Sequence, residues 1–194
     1  APSRGGEYFV QLNYTPSRYS SIYVRYKDKI KSINSSTDTY LNRVLGEEKQ
    51  NFRIHFSHRL LKNLSIKNRI EWSSYQTAGN STKMGFMMYQ DASYSFSKLP
   101  LNVSARYAIF NTDSYDERIY AYESDVLYSF SIPAYYYKGT RAYLVMKYKV
   151  SKDIDVWFRI AQTWYSDKDL ISSGLEEIKG STKTEVKAQL RIKF

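Results

Sequence analysis

The chain has 194 residues, with 29 Lys and Arg against 19 Asp and Glu, and its net charge of +10 favours anionic partners such as lipopolysaccharide, nucleic acid or acidic solutes. It has no cysteine, which excludes disulfides, iron–sulfur clusters and thiolate zinc sites, and it lacks a run of about 18 apolar residues that could cross a membrane as a helix. Twenty Tyr beside only 8 Gly and 4 Pro exclude a disordered or low-complexity chain and point to strands.

A mean hydropathy of -0.57 does not argue against a membrane, because barrel walls hide their apolar residues in alternation. Ala1 opens without a charged and apolar leader, as expected of a chain whose signal peptide has been removed or of a piece of something longer.

In chain order, the first predicted strand places Tyr8, Val10, Leu12 and Tyr14 on one face and closes at a turn over Thr15, Pro16, Ser17 and Arg18. The second sets Ile22, Val24 and Tyr26 against Tyr23, Arg25 and Lys27, and Asp28 to Lys49 reads as a long polar loop. The third sets Phe52, Ile54 and Phe56 against Arg53, His55 and Ser57; a tight turn at Leu61, Lys62 and Asn63 follows. Leu64, Ile66, Ile70 and Trp72 then oppose Ser65, Lys67, Arg69 and Glu71. After a loop from Gln76 to Lys83, the fifth strand (Gly85 to Phe96) has no clear phase, since Phe86, Met87, Met88 and Tyr89 are apolar in succession. The turn from Ser97 to Pro100 leads to Leu101, Val103, Ala105, Tyr107 and Ile109 opposite Asn102, Ser104, Arg106 and Ala108.

Beyond a long segment from Asn111 to Lys138, Ala142, Leu144, Met146 and Tyr148 oppose Arg141, Tyr143, Lys147 and Lys149. Ser151 to Asp153 turns this strand into the next, with Val156, Phe158, Ile160 and Trp164 opposite Asp155, Trp157, Arg159 and Thr163. A loop from Ser166 to Lys183 precedes the last strand, where Val186, Ala188, Leu190, Ile192 and Phe194 alternate with Glu185, Lys187, Gln189, Arg191 and Lys193. A strand so two-faced, ending on an aromatic residue, suits a wall between lipid and water. The expectation is an all-β, antiparallel transmembrane β-barrel, or the C-terminal part of a larger one, as a single domain over 1–194. Val186, Leu190, Ile192 and Phe194 would form the strand that an outer-membrane assembly machinery handles.

Barrels of this kind have short periplasmic turns and long outer loops, and the connections here alternate in that way if Asn111 to Lys138 adds no wall strand, or an even number. That segment is expected to be an ordered excursion, either a hairpin above the membrane or a loop folded into the lumen. Nine wall strands result, an odd number, which points to strands or a domain upstream; a tenth strand within Val126 to Ile132 would instead let the chain close alone. Tyr14, Tyr26, Trp72, Tyr75, Tyr94, Tyr107, Trp164 and Tyr165 fall near strand ends and suit aromatic girdles.

The segments TPSRYSSIYVRYKDK (15–29), ERIYAYESDVLYSFSIPAYYYKGTRAYL (117–144) and SGLEEIKGSTKTEVKAQLRIKF (173–194) resemble the C-terminal barrel region of the helix-hairpin-helix domain-containing outer-membrane proteins of Bacteroidota. The resemblance implies an outer-membrane location and an N-terminal helix-hairpin-helix module outside these residues. Any DNA handling would belong to that module.

The inward row is strongly basic: Arg25, Lys27, Arg53, Lys67, Arg69, Arg106, Arg141, Lys147, Arg159, Lys187 and Arg191, with Glu71, Asp91, Asp155 and Glu185 available to pair. Rings of Arg and Lys select anions, whereas a salt-bridged interior would plug or stiffen the barrel, and the habit of pairing buried charge favours the second. Asp113, Asp116, Glu117, Glu123 and Asp125, and Asp167, Asp169, Glu176 and Glu177, lack calcium-loop spacing and read as solvated loop acids. His55 and His58 face opposite sides of one strand, so they do not chelate a metal together; His55 beside Ser57 is the one pair that a lipid-modifying barrel enzyme could use. Asn34 and Asn80 begin glycosylation sequons that carry no weight in a bacterial protein. The sequence therefore points to a non-catalytic pore, scaffold or interaction barrel without cofactor or metal, in contact with outer-membrane lipid and lipopolysaccharide and within an envelope complex. The alternatives are a lipid-modifying enzyme and a soluble carrier with its apolar rows inside.

Overall fold

The computed structural model describes residues 4–34 and 44–194. Nine long strands form one antiparallel sheet: β1 (Gly6–Ser17), β2 (Ser20–Asn34), β3 (Val44–Leu61), β4 (Leu64–Thr77), β5 (Lys83–Ser95), β6 (Leu101–Thr112), β9 (Lys138–Lys149), β10 (Ile154–Tyr165) and β13 (Thr182–Ile192). Each pairs with its neighbour in sequence, and β6 lies directly beside β9, so the segment between them adds nothing to the wall. That segment holds only β7 (Ile119–Tyr120) paired with β8 (Ala134–Tyr135), and the last long loop holds β11 (Leu170–Ile171) paired with β12 (Ile178–Lys179). The alternative of a tenth wall strand within Val126 to Ile132 is overturned, since those residues join no wall ladder. Among the described residues β1 and β13 are the two edges of the sheet and do not pair with each other.

Because cross-strand partners share a face, the ladders sort the side chains into two sets. Arg25, Arg53, Glu71, Met87 and Phe110 follow one another across β2 to β6 on what we term the inner face. Tyr26, Phe52, Trp72 and Phe86 form the adjacent row on the outer face, with ring centroids 5.9 Å apart for Phe52–Trp72 and 5.6 Å for Trp72–Phe86. On β13 Leu190 is 59% exposed, while the inner-face Arg159 of the neighbouring β10 is 0% exposed. That orientation is opposite to a soluble carrier's, and the carrier alternative falls with it. The fifth strand also gains its phase: Met87 points inward, Phe86 and Met88 outward.

Three expectations are corrected. The polar stretch from Asp28 to Lys49 is mostly strand: the ladder runs on through Lys29↔Lys49 to Asn34↔Val44, and only 35–43 lie outside the described residues. Backbone pairing needs no apolar side chain, so the two strands continue where their side chains are largely polar on both faces, and β3 runs to 18 residues. The first turn is tighter than expected, at Arg18 and Tyr19, and the register shift between Tyr14 and Ser17 accommodates Pro16, which has no N–H to donate. Tyr75 and Tyr165 face inward, Tyr75 hydrogen-bonding Glu47 at 3.2 Å and Tyr165 packing on Phe110, so neither belongs to a girdle.

The buried apolar core lies on the inner face, which the alternation marks as polar. Met87, Tyr89, Ala108 and Phe110 of β5 and β6 pack against Ile119, Ala121 and Tyr135 of the excursion. The excursion is thus folded against the inner face of the wall. Two wall glycines make room for close packing: a Cβ at Gly85 would stand 2.9 Å from the Glu117 carbonyl oxygen, and one at Gly139 would stand 2.9 Å from the Phe110 ring.

Candidate functional site

The inner face divides into a half covered by the excursion and a half left open. Over the covered half, the excursion delivers two carboxylates to arginines that the wall strands hold in register. Glu123, 0% exposed, accepts Arg141 Nε and Nη2 at 2.7 and 2.9 Å, Arg159 Nη2 at 2.5 Å and the Tyr135 hydroxyl at 2.8 Å. Asp125 accepts Lys187 Nζ at 2.6 Å and the Val126 N–H at 2.8 Å, with Arg159 Nε 3.7 Å away. Burial by itself would raise the Asp125 carboxyl; the Lys187 hydrogen bond, the Val126 N–H and the Arg159 charge together hold it below the ordinary value of 3.8. Burial, then the Glu123 charge, pushes the Tyr135 hydroxyl well above the usual phenol range.

Other pairs lie within the wall itself. Asp91 takes both Arg106 donors at 2.5 and 2.8 Å while that guanidinium lies 3.6 Å over the Tyr89 ring. Glu71 accepts Arg53 Nε at 2.7 Å and also Arg69, whose Nη2 donates to the Tyr120 carbonyl at 2.9 Å. Asp155 pairs with Arg191, and Lys147 lies 5.2 Å over the Trp157 ring. Glu117 and Glu123 are fully buried, which overturns their reading as solvated loop acids. Glu123 meets arginines 18 and 36 residues away in sequence, a pairing with no local signal.

The open half is different. Arg25, Lys27, Lys29, Lys49, Arg53 and Arg118 line a pocket of about 280 Å³ with Asn51, Tyr120 and one carboxylate, Glu71, already engaged by Arg53 and Arg69. Arg25 donates to the Gln11 amide oxygen at 2.7 Å, and Lys49 to the carbonyls of Asp116 and Arg118 at 2.7 and 3.2 Å. These neutral acceptors orient the cations and leave their charge in place. Lys27 does have an acid, Glu7 at 2.9 Å, and both side chains stay well exposed. Toward the tight turns, Arg18, Arg59 and Lys67 line a second pocket of about 310 Å³ with five hydroxyl-bearing serines and no carboxylate. Lys29, Lys49 and Arg118 are additions to the basic row read from sequence. Lys29 and Lys49 continue the alternation of Arg25–Lys27 and Arg53–Asn51, a signal hidden when the stretch is taken as loop.

The histidines separate as the strand period requires. His55 stacks on Tyr23 at 4.8 Å on the inner face; His58 faces outward, its Nδ1 2.7 Å from the Ser20 hydroxyl. The sequence pairing of His55 with Ser57 therefore gives way to a Ser20–His58 contact, and among the described residues no carboxylate hydrogen-bonds the second His58 nitrogen. Val186, Leu190 and Ile192 stand exposed on the outer face of the β13 edge, with Phe194 just beyond. Among the described residues no cluster of three or more His, Cys, Asp or Glu side chains is arranged to hold a metal ion.

No family model matches the sequence, and no curated protein matches it. Among solved structures the chain is similar to the anion-selective porin from Comamonas acidovorans, with a TM-score of 0.62 and 12% identity, over 95% of this chain and 48% of the porin. The chain thus spans about half the length of that porin. At that identity the likeness speaks to architecture, and with two-faced antiparallel strands, alternating short and long connections and a polar inner face it establishes the fold: this chain has the fold of a porin-type outer-membrane β-barrel.

Proposed function

We propose that this chain is part of the wall of a non-catalytic outer-membrane pore that admits small anions along β2 and β3. The observation that carries the reading is the uneven neutralisation of the inner face: of the six cations in the open pocket only Arg53 pairs with its one carboxylate, Glu71, and Lys27 with the exposed Glu7, against Arg106, Arg141, Arg159 and Lys187 held by Asp91, Glu123 and Asp125 elsewhere. In a narrow space between low-dielectric walls, uncompensated Arg and Lys raise the local anion concentration and repel cations. The anion preference named for the similar porin agrees with this reading.

A lumen needs a closed wall, and β1 and β13 run in the same direction, so antiparallel closure takes an odd number of further strands between them. The outer rows would face lipid and lipopolysaccharide, and the strand ending at Phe194 would be the segment handled during barrel assembly. Membership of the Bacteroidota helix-hairpin-helix group, a role in an envelope complex and any DNA link through another module belong to the same proposal. A second reading, a stiffened scaffold without conductance, is favoured by the dense ion pairing of the covered half.

Reconstitution of the closed barrel, with the further strands that complete its wall, in planar bilayers separates the two. Under a KCl gradient the reversal potential should show chloride preference, and Arg25→Gln with Lys29→Gln and Lys49→Gln should move it toward neutrality. Cation preference, or selectivity unmoved by the triple variant, would sink the pore reading; a folded, inserted protein without conductance would establish the scaffold.

A further inference from the structure

At the long-loop end of the wall the excursion and the last loop enclose a pocket of about 440 Å³ unlike either basic one. Tyr136 is its centre, with ring centroids 4.9 Å from Tyr115, 5.2 Å from Tyr137 and 5.6 Å from Tyr165. Ser172, Ser173 and Glu176 supply hydroxyls and a carboxylate, and Lys168 holds its ammonium 3.8 Å over the Tyr137 ring. One cation and one anion line it, so the pocket has no charge surplus. We propose that it binds a neutral saccharide.

Two independent features point to a built site. Among the described residues three non-glycine residues have positive φ, and two of them, Tyr137 (φ 60) of the excursion and Ser172 (φ 62) of the last loop, line this pocket. Backbone held in that region persists only where its surroundings over-determine it, and such strain gathers at ligand sites. The chemistry of the lining is also selective. A pyranose ring offers C–H faces that lie on tyrosine rings and a rim of hydroxyls that both donate and accept; phenols, serines, a lysine and a glutamate match that rim. An inorganic anion gains more in the cationic pocket of β2 and β3, and a flat aromatic molecule would leave the serines and Glu176 without partners. The volume falls within the range of small-ligand pockets.

The same chemistry could come from a free oligosaccharide in the medium or from the glycan of the cell's own surface. Saturation-transfer NMR on the full chain, in a detergent without a sugar headgroup, tests both with maltohexaose and with delipidated surface polysaccharide. Transfer to ring protons from either probe supports the site, and the probe that responds identifies the source. Tyr115→Ala and Glu176→Gln should each weaken binding about tenfold. Added salt and Arg25→Gln should leave it unchanged, which keeps this result separate from the fate of the pore reading. Tyr115→Phe, which keeps the ring, should retain most of the affinity, and an unchanged urea midpoint in Tyr115→Ala shows that its loss is not misfolding. No transfer from either probe, displacement by phosphate, or wild-type affinity in Tyr115→Ala would overturn the proposal.

Discussion

Arg159 and Arg25 come from the same pattern, an arginine at an inward position of an alternating strand, yet they stand in opposite electrostatic situations. Arg159 on β10 is 0% exposed and lies among Glu123, Asp125 and the Ser124 carbonyl; Arg25 on β2 faces an amide oxygen and other cations. The difference is the excursion, which packs on β5 and β6 and brings its own carboxylates to Arg141, Arg159 and Lys187 of β9, β10 and β13. Inward basic residues are therefore not one functional class. Under the Glu123 and Asp125 carboxylates they are structural counter-ions, whereas Arg25 has only a neutral amide oxygen as its hydrogen-bond partner.

The strongest way to break that contrast is to remove the shared acid. Glu123→Ala leaves Arg141 and Arg159 buried without their main partner, and an uncompensated buried charge costs about 3–5 kcal/mol. The urea midpoint of the folded protein should fall accordingly, with new protease cleavage between 113 and 137; Arg25→Ala, on the open side, should leave both nearly unchanged. A midpoint unaffected by Glu123→Ala would mean that the excursion is held by something other than these pairs.

A second way is to lift the excursion off the wall sterically. Gly85→Ala places a methyl group against the Ser73 hydroxyl and the Glu117 carbonyl, so that backbone as well as a side chain must yield. Overpacking of this kind costs about 1–3 kcal/mol. The same midpoint measurement reads it, and the loss should be smaller than for Glu123→Ala.

The mildest probe is pH. Because the folded Asp125 carboxyl is held below its ordinary value of 3.8, its stabilising share is complete above that value and is lost as pH falls through the lower folded value. Stability at neutral pH minus stability in acid should therefore be larger in wild type than in Asp125→Asn, where the Lys187 contact no longer titrates. Equal acid slopes in the two proteins would remove Asp125 from the set of anchors.

Much of this architecture is legible in the sequence because period-two alternation is a local property. The opposition of Phe158 to Arg159 and of Leu190 to Arg191 assigns faces without knowledge of any partner strand, and the alternation of short with long connections sets the excursion outside the wall. The site was legible only in part. Lys29 and Lys49 obey the same alternation but are flanked largely by polar residues, so the pattern loses its contrast there. Glu123 and Asp125 carry no signal in their own neighbourhood, and the inward turn of Tyr75 and Tyr165 depends on partners in other strands.

The sequence by itself determined the antiparallel wall, its two faces and the basic character of one of them, since each follows from residue order within single strands. Only the tertiary structure decided which of those bases are neutralised. That depends on where a 28-residue stretch from Asn111 to Lys138 folds back, and Coulomb energy is set by distance in space, over a few ångströms, and not by separation along the chain.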